Sequence, residues 1–380
     1  MTLLTPDFPP QKGGIQRILH ELSLLFSPVV ITLRSPGWKE FDLSSGIKTV
    51  RIPKIPSLPR KLHLPLFLVY SFPHRSELTI AGHILTAPCG WMLKKLYGIP
   101  YIIYTYALEI MDKRYKKIFS FLMRHADRII ALSEYPKEYM IKELGVDEGK
   151  IEKVYPPVDV KRFNPRVDGR KIREKYGLSG KLVLTTIARM DARQGHKGQD
   201  VVIELMPEII KKFPDALYLL VGDGDDRPRL ESLAENLGVR KHVVFTGFIP
   251  HEEIHKVMAA TDVYIMLSRE IKREKTVAVE GFGIVYAEAS ACGKPVIGSK
   301  KGGAREPIVH GKTGLLVDPE DKKEVLSAIF TLLENERLRE KMGREGRKRA
   351  EREFSREVYK ERLEKIFESV LHEGSRPYRN

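Results

Sequence analysis

The chain has 380 residues, 42% of them hydrophobic and 30% charged, and its 65 Lys/Arg against 50 Asp/Glu give a formal net charge of +15. That length is more than one ordinary core accommodates, so two domains are expected, and no apolar run reaches the roughly 18–20 residues of a membrane-spanning helix. The excess charge, with 24 Lys/Arg against 15 Asp/Glu in residues 1–165, suits anions of any kind and does not choose among nucleotides, lipid headgroups and nucleic acid.

Residues 1–7 carry neither a basic n-region nor a long apolar stretch, so no secretory signal is expected and the chain reads as cytoplasmic. After a short first strand comes Pro9-Pro10-Gln11-Lys12-Gly13-Gly14-Ile15. Paired glycines let backbone approach a ligand closely and open the next helix, although Gly-Gly also makes ordinary turns. Apolar, β-rich runs at 28–33, 78–81, 101–105 and 128–133 read as buried strands, and 113–125 reads as a basic amphipathic helix. Residues 51–65 hold four prolines among Arg51, Lys54, Arg60 and Lys61 and read as an ordered surface loop or edge. The segment 154–165, with Pro156, Pro157 and Pro165, forbids helix and marks an extended crossover between domains. A second set of strands is expected at 182–188, 216–222, 243–246, 263–267, 294–298 and 314–317, each followed by a helical stretch. Residues 320–373 are helical throughout by periodicity. Strands alternating with helices imply parallel α/β layers. The two cysteines, Cys89 and Cys292, read as separate reduced thiols rather than a disulfide, a zinc site or a nucleophile.

The strongest chemical signal is Glu280-Gly281-Phe282-Gly283-Ile284-Val285-Tyr286-Ala287-Glu288. If a helix begins near Ile284, its unpaired N–H groups and positive end form an anion site suited to a diphosphate. Glu288 then lies on a face able to accept ribose hydroxyl protons, and Glu280 reaches toward a sugar. The bland reading is a Gly-rich turn with two solvated glutamates. In the segment from Ala188-Arg189-Met190-Asp191 to Gly195-His196-Lys197-Gly198, Arg189 and Lys197 emerge at a strand's carboxyl end, where open α/β sheets bind ligands. Fixed cations there can neutralise a departing diphosphate. Val221-Gly222-Asp223-Gly224 ends another strand, where Gly222 is either structural or in contact with a nucleotide. Phe248 and Ile249, after Gly247, are placed to flank a base. His20, His242, His251, His255 and His310 stand singly and read as core or solvated histidines. No metal-binding spacing, nucleophile elbow or Walker lysine occurs, and no aromatic-interleaved basic patch points to nucleic acid.

Taken in order, these motifs, with Lys301-Gly302-Gly303-Ala304-Arg305-Glu306 and 311–317, resemble the family 4-like (group 1) retaining glycosyltransferases of GT-B fold. That group includes the phosphatidylinositol mannosyltransferases. The resemblance covers nearly the whole chain. It implies two Rossmann-like doubly wound domains facing each other across a cleft: an acceptor domain at 1–160, a donor domain at 161–350, and a returning helix at 351–380. It also implies transfer of a hexose, glucose or mannose, from a UDP-glucose- or GDP-mannose-type donor with no metal and no cofactor. Arg189 and Lys197 would stabilise the leaving diphosphate, Glu280 would orient the sugar, and the Ile284 and Val285 amides would touch phosphate. Glu288 would bind ribose, while Gly13, Gly14, Gly222, Phe248, Ile249, Phe282 and Gly283 would shape the donor site. Three departures stand out. Tyr106 occupies the place of a usual histidine near the donor sugar; the loop from Arg189 to Lys197 is longer than usual; and 268–276 inserts charged residues that read as a lid or a solvated loop. A degenerate, non-catalytic binder of nucleotide sugar and a sugar-nucleotide epimerase are the alternatives. The basic helix at 113–125 suggests a peripheral enzyme docking Arg114, Lys116 and Lys117 on an anionic membrane to reach a lipid-linked acceptor.

Overall fold

The computed structural model describes residues 1–55, 59–192, 195 and 197–374. The chain divides into two compact units: Met1–Pro157 with the segment from Glu357 onward, and Val158–Arg356. Pro56 to Leu58 of the proline-rich stretch lie outside the described residues.

In the first unit, seven strands form one sheet: β1 Thr2–Leu4, β2 Val29–Leu33, β3 Thr49–Ile52, β4 Thr79–Ala81, β5 Tyr101–Thr105, β6 Arg128–Ala131 and β7 Ile151–Lys153. Their order is β3-β2-β1-β4-β5-β6-β7 and every pairing is parallel. In the second unit, β8 Leu182–Ile187, β9 Ala216–Val221, β10 Val243–Gly247, β11 Val263–Met266, β14 Val296–Ser299 and β15 Gly314–Val317 form a parallel sheet in the order β10-β9-β8-β11-β14-β15. Strands such as Tyr101–Thr105 and Ala216–Val221 are buried along their whole length rather than on alternate residues. Helices covering both faces of a parallel sheet require that pattern. Both units are therefore Rossmann-like. In each, the strand order reverses once, between β1 and β4 and between β8 and β11, and the carboxyl edge beside that reversal is where such sheets take ligands.

The charged segment 268–276 contributes to a short antiparallel hairpin, β12 Ile271–Lys272 against β13 Val277–Ala278, which Arg273 N–H closes on Thr276 O at 2.8 Å. Among the described residues the helical tail comprises three helices. Lys322–Glu334 stops at Asn335, whose side chain accepts the Leu338 N–H at 2.9 Å and caps Glu336–Arg349. A π-turn at Ala350–Phe354 then precedes Arg356–Gly374. Within the second unit, Arg347 Nη1 donates to the carbonyls of Val160, Phe163 and Ala291 at 2.7–2.9 Å, fixing the proline-bounded crossover to the helical tail.

Candidate functional site

In the second unit the site is assembled by loops at the carboxyl edge of the sheet. The first leaves β8. Ala188 N–H donates to Val221 O and Met190 N–H to Asp223 O, both at 3.0 Å, which lays this loop along the one leaving β9. Gly222 and Gly224 permit that contact: a Cβ on either would stand 2.0 Å from the Ala188 or Met190 carbonyl. Gly222 also has a φ of +136°, which other residues rarely adopt. In consequence Arg189 projects into solvent with its carbonyl held by Gln199 Nε2 at 3.3 Å. Arg193, Gln194 and His196 of the same loop lie outside the described residues.

Lys197 comes next, where the chain closes on β11 through Leu267 N–H to Lys197 O at 3.2 Å. Its ammonium forms an ion pair with Glu280 although 83 residues separate them. The two side chains are 22% and 16% exposed, so the pair is only partly desolvated. Glu280 follows β13, and its carbonyl accepts the Gly303 N–H at 2.8 Å, so the Lys301–Arg305 region supports it from beneath.

Beyond Glu280 the helix Ile284–Ala291 begins at Gly283, which has a φ of +85° and no side-chain cap. A Cβ at Gly283 would collide with the Tyr286 ring at 2.4 Å. The amides of Ile284 and Val285 therefore sit at an uncapped helix start, where partial positive charge collects. Tyr286, fully buried, anchors the helix by donating to Met266 O at 2.5 Å and packing edge-on against Tyr264. Phe282 is buried against Phe354. Glu288 is 1% exposed, with Oε1 3.8 Å from His251 Nε2.

His251 was not singled out by the sequence, where it reads as one more isolated histidine. The signal was positional: it opens the helix His251–Ala260, directly after the Gly247–Pro250 loop that follows β10. Gly222 N–H donates to Gly247 O at 3.0 Å. Gly222, Phe248, Ile249, His251 and Glu288 thus line one stretch of the sheet edge, with Phe248 54% exposed. Arg269 was also missed. It reaches Asp200 at 2.5 Å and Gly195 O at 3.4 Å, tying the β11 loop to the β8 loop.

The first unit carries the remaining candidates. Gly13 precedes the helix Gly14–Phe26, and Gln16 Nε2 donates to Asp7 Oδ1 at 3.1 Å. His83 stands after β4 with Nε2 3.9 Å from Asp7 Oδ2, while its Nδ1 accepts the Leu85 N–H at 3.0 Å. Tyr106, after β5, is 6% exposed and stacks on Tyr104 at 5.4 Å. Its hydroxyl donates to Gly82 O at 3.0 Å, and burial holds its pKa well above the ordinary value. That hydroxyl braces the β4 loop rather than standing free for a sugar. Glu109 accepts the N–H groups of Tyr106 and Ala107 at 2.6 and 3.0 Å. Ala107 sits at φ +141°, a conformation that residues other than glycine rarely adopt. Of the basic helix, Arg114 is engaged by Asp112 and Lys116 by Glu143. Cys89 and Cys292 are buried, one in each unit, and burial pushes both thiols up to about 12.

Two family models cover most of the chain: Glycosyltransferase Family 4 matches residues 13–162 and Glycosyl transferases group 1 matches residues 168–349. A GDP-mannose-dependent alpha-(1-6)-phosphatidylinositol monomannoside mannosyltransferase of Mycolicibacterium smegmatis is 34% identical over 359 residues, covering 91% of this chain and 92% of that protein. The chain belongs to the group 1, family 4 glycosyltransferases. A GDP-mannose-dependent monoacylated alpha-(1-6)-phosphatidylinositol monomannoside mannosyltransferase of Corynebacterium glutamicum is 30% identical, with 97% of each chain covered. Among solved structures, Anabaena HepE in complex with UDP superposes with a TM-score of 0.82 at 21% identity, covering 97% of this chain and all of that one. The sucrose-phosphate synthase of Thermosynechococcus elongatus gives 0.80 at 22% identity, covering 98% of this chain and 99% of that one. Both likenesses establish the GT-B fold. As a glycosyltransferase, the chain is an enzyme of sugar transfer.

Proposed function

We propose that this enzyme is a retaining hexosyltransferase that moves mannose from a GDP-mannose-type donor to a phosphoinositide-like lipid acceptor. The observation that carries the reading is the Lys197–Glu280 pair beside the uncapped helix start at Ile284 and Val285. The named relatives supply the base, sugar and acceptor class.

The chemistry follows from the charges. A nucleoside diphosphate presents its phosphates to the Ile284 and Val285 amides and draws Lys197 away from Glu280, while Arg189 adds a second cation. Glu280, released from its partner, accepts hydroxyl protons of the donor sugar and orients it. The sugar C1–O bond then breaks with its electron pair leaving on the diphosphate. An acceptor hydroxyl forms the new bond to C1 on the same face and passes its proton to a phosphate oxygen. Positioning and leaving-group stabilisation do the catalysis, and no enzyme nucleophile is required. Phe248 and Ile249 take the base, and Glu288, with His251 behind it, takes the ribose. We assign no resident metal or cofactor to this scheme. Because no described helix is long and apolar enough to cross a membrane, a lipid acceptor is met at the bilayer surface, where Lys113, Lys117 and Arg124 remain available to anionic headgroups.

The test is transfer from GDP-mannose and UDP-glucose to vesicles containing phosphatidylinositol mannoside, comparing wild type with Lys197→Ala. Loss of one leaving-group cation should lower kcat by about 100-fold or more, with unfolding temperature unchanged. Equal turnover in the two proteins would remove Lys197 from the mechanism.

A further inference from the structure

On the first unit, at the same carboxyl edge as Gly13 and Gly14, the loops after β2 and β3 line a shallow, open cleft of about 500 Å³ that sugar transfer as proposed does not use. That size falls within the range of small-molecule sites. Arg34 follows β2 and Lys54 follows β3; Lys39 stands in the first turn of the helix Trp38–Ser45. None of the three cations forms an ion pair among the described residues, and one carboxylate, Glu40, shares the lining. The guanidinium of Arg34 lies 5.3 Å from the Trp38 ring centroid and the Lys39 ammonium 5.9 Å, so Trp38 holds them over its own face. The helix Trp38–Ser45 begins at Gly37 with no side-chain cap. Its positive end adds to the cations. Independently of the charges, the Ser35 hydroxyl is buried in the lining and has no hydrogen-bond partner among the described residues, and Ser35 as a whole is 9% exposed. A buried hydroxyl is seldom left unpaired, so a partner is expected to arrive from outside the chain.

We propose that this cleft binds the phosphoryl group of the acceptor headgroup, with Ser35 and Arg34 donating to its oxygens and Lys39 and Lys54 neutralising it. A guanidinium is a planar fork suited to phosphate. The cleft belongs to the acceptor rather than the donor because Arg189, Lys197, Glu280 and Glu288 all lie in the other unit. It also adjoins the glycine loop: Gly37 lies beside the Pro10 ring, and Arg51 Nη2 links Asp42 of the Trp38 helix to Pro9 O at 2.6 and 2.8 Å. The acceptor assignment rests on the transferase reading given above; the anion site itself does not.

The experiment reads Trp38 fluorescence in a Trp91→Phe background, which leaves one tryptophan, and titrates inorganic phosphate, glycerophosphoinositol, and phosphatidylcholine vesicles with and without phosphatidylinositol. Saturable binding should weaken by about tenfold or more in Arg34→Ala and Lys54→Ala, and recover in Lys54→Arg. Both cations are exposed, so the fold is not at stake. Response to inorganic phosphate supports a general phosphoryl site, and response confined to glycerophosphoinositol or phosphatidylinositol vesicles supports one tuned to the lipid headgroup. No saturable response, or binding indifferent to both alanine variants, overturns the proposal. In parallel, the acceptor KM should rise about tenfold in the variants with the donor KM unchanged. An unchanged acceptor KM sinks the acceptor role alone. Phosphate binding in a protein that transfers no sugar sinks the transferase reading alone.

Discussion

Glu109 is a half-buried carboxylate whose two oxygens accept the N–H groups of Tyr106 and Ala107. Burial pushes its pKa from 4.5 up to about 7, more than those donors pull it down. Below 4.5 the group is protonated whether the chain is folded or not. Between 4.5 and about 7 the folded form keeps a proton that the unfolded form has released, and above 7 the folded form carries a poorly solvated charge. Stability should therefore fall as pH rises across that window, and then level off. Because water still reaches the group, the change is about 1–2 kcal/mol rather than the full value of the shift. Denaturant unfolding from pH 4 to 8 checks it: Glu109→Gln, whose amide stands in for the neutral acid, should lose this pH dependence. An identical slope in the variant would assign the titration to another group. Such pairing is illegible in a sequence. The motif Tyr106-Ala107-Leu108-Glu109 shows that a histidine is replaced, but the inward turn of the tyrosine depends on Tyr104 and Gly82, brought together only by the sheet.

At the scale of elements, glycines decide where the functional loops lie. Gly222 packs its bare Cα edge against the Ala188 carbonyl and adopts φ +136°. Gly222→Ala should cost about 2–4 kcal/mol through backbone strain and collision, and should raise the donor KM because the Arg189 loop must move. Denaturant unfolding together with donor saturation curves reads both effects; a variant as stable as wild type would mean the loops separate freely. The sequence showed glycines closing strands, and it showed Glu280 and Glu288 flanking a helix start. It did not show the partners, because Lys197–Glu280 and His251–Glu288 join residues from different loops. Periodicity likewise marks 320–373 as helical without placing the breaks. Asn335 is a better helix start than a helix interior, and its side-chain bond to Leu338 N–H divides the segment.

At the scale of the whole molecule, the chain leaves the first unit at Pro157 and returns to it at Glu357. The last helix supplies Tyr359, Leu363, Ile366, Phe367 and Val370 as buried residues, with Phe367 edge-on to Phe26 at 5.1 Å and the Tyr359 hydroxyl 3.1 Å from that of Tyr104. Ending the chain at Arg356 should therefore expose the first unit's apolar surface and unfold it, while the second unit stays folded. Hydrogen exchange resolved by segment tests this; protection of β1 to β7 in the shortened chain would contradict the assignment of that helix. The two parallel sheets were legible because fully buried strands announce themselves as apolar runs. The return of the last helix was not readable from its own residues and entered only through the family resemblance.

The most direct measurement is the anomeric configuration of the product, read by NMR coupling at C1 after reaction of GDP-α-mannose with the lipid acceptor. Same-face displacement gives an α-linked mannoside, formed by wild type and lost in Lys197→Ala. A β-linked product would contradict same-face displacement, and release of mannose to water alone would contradict transfer.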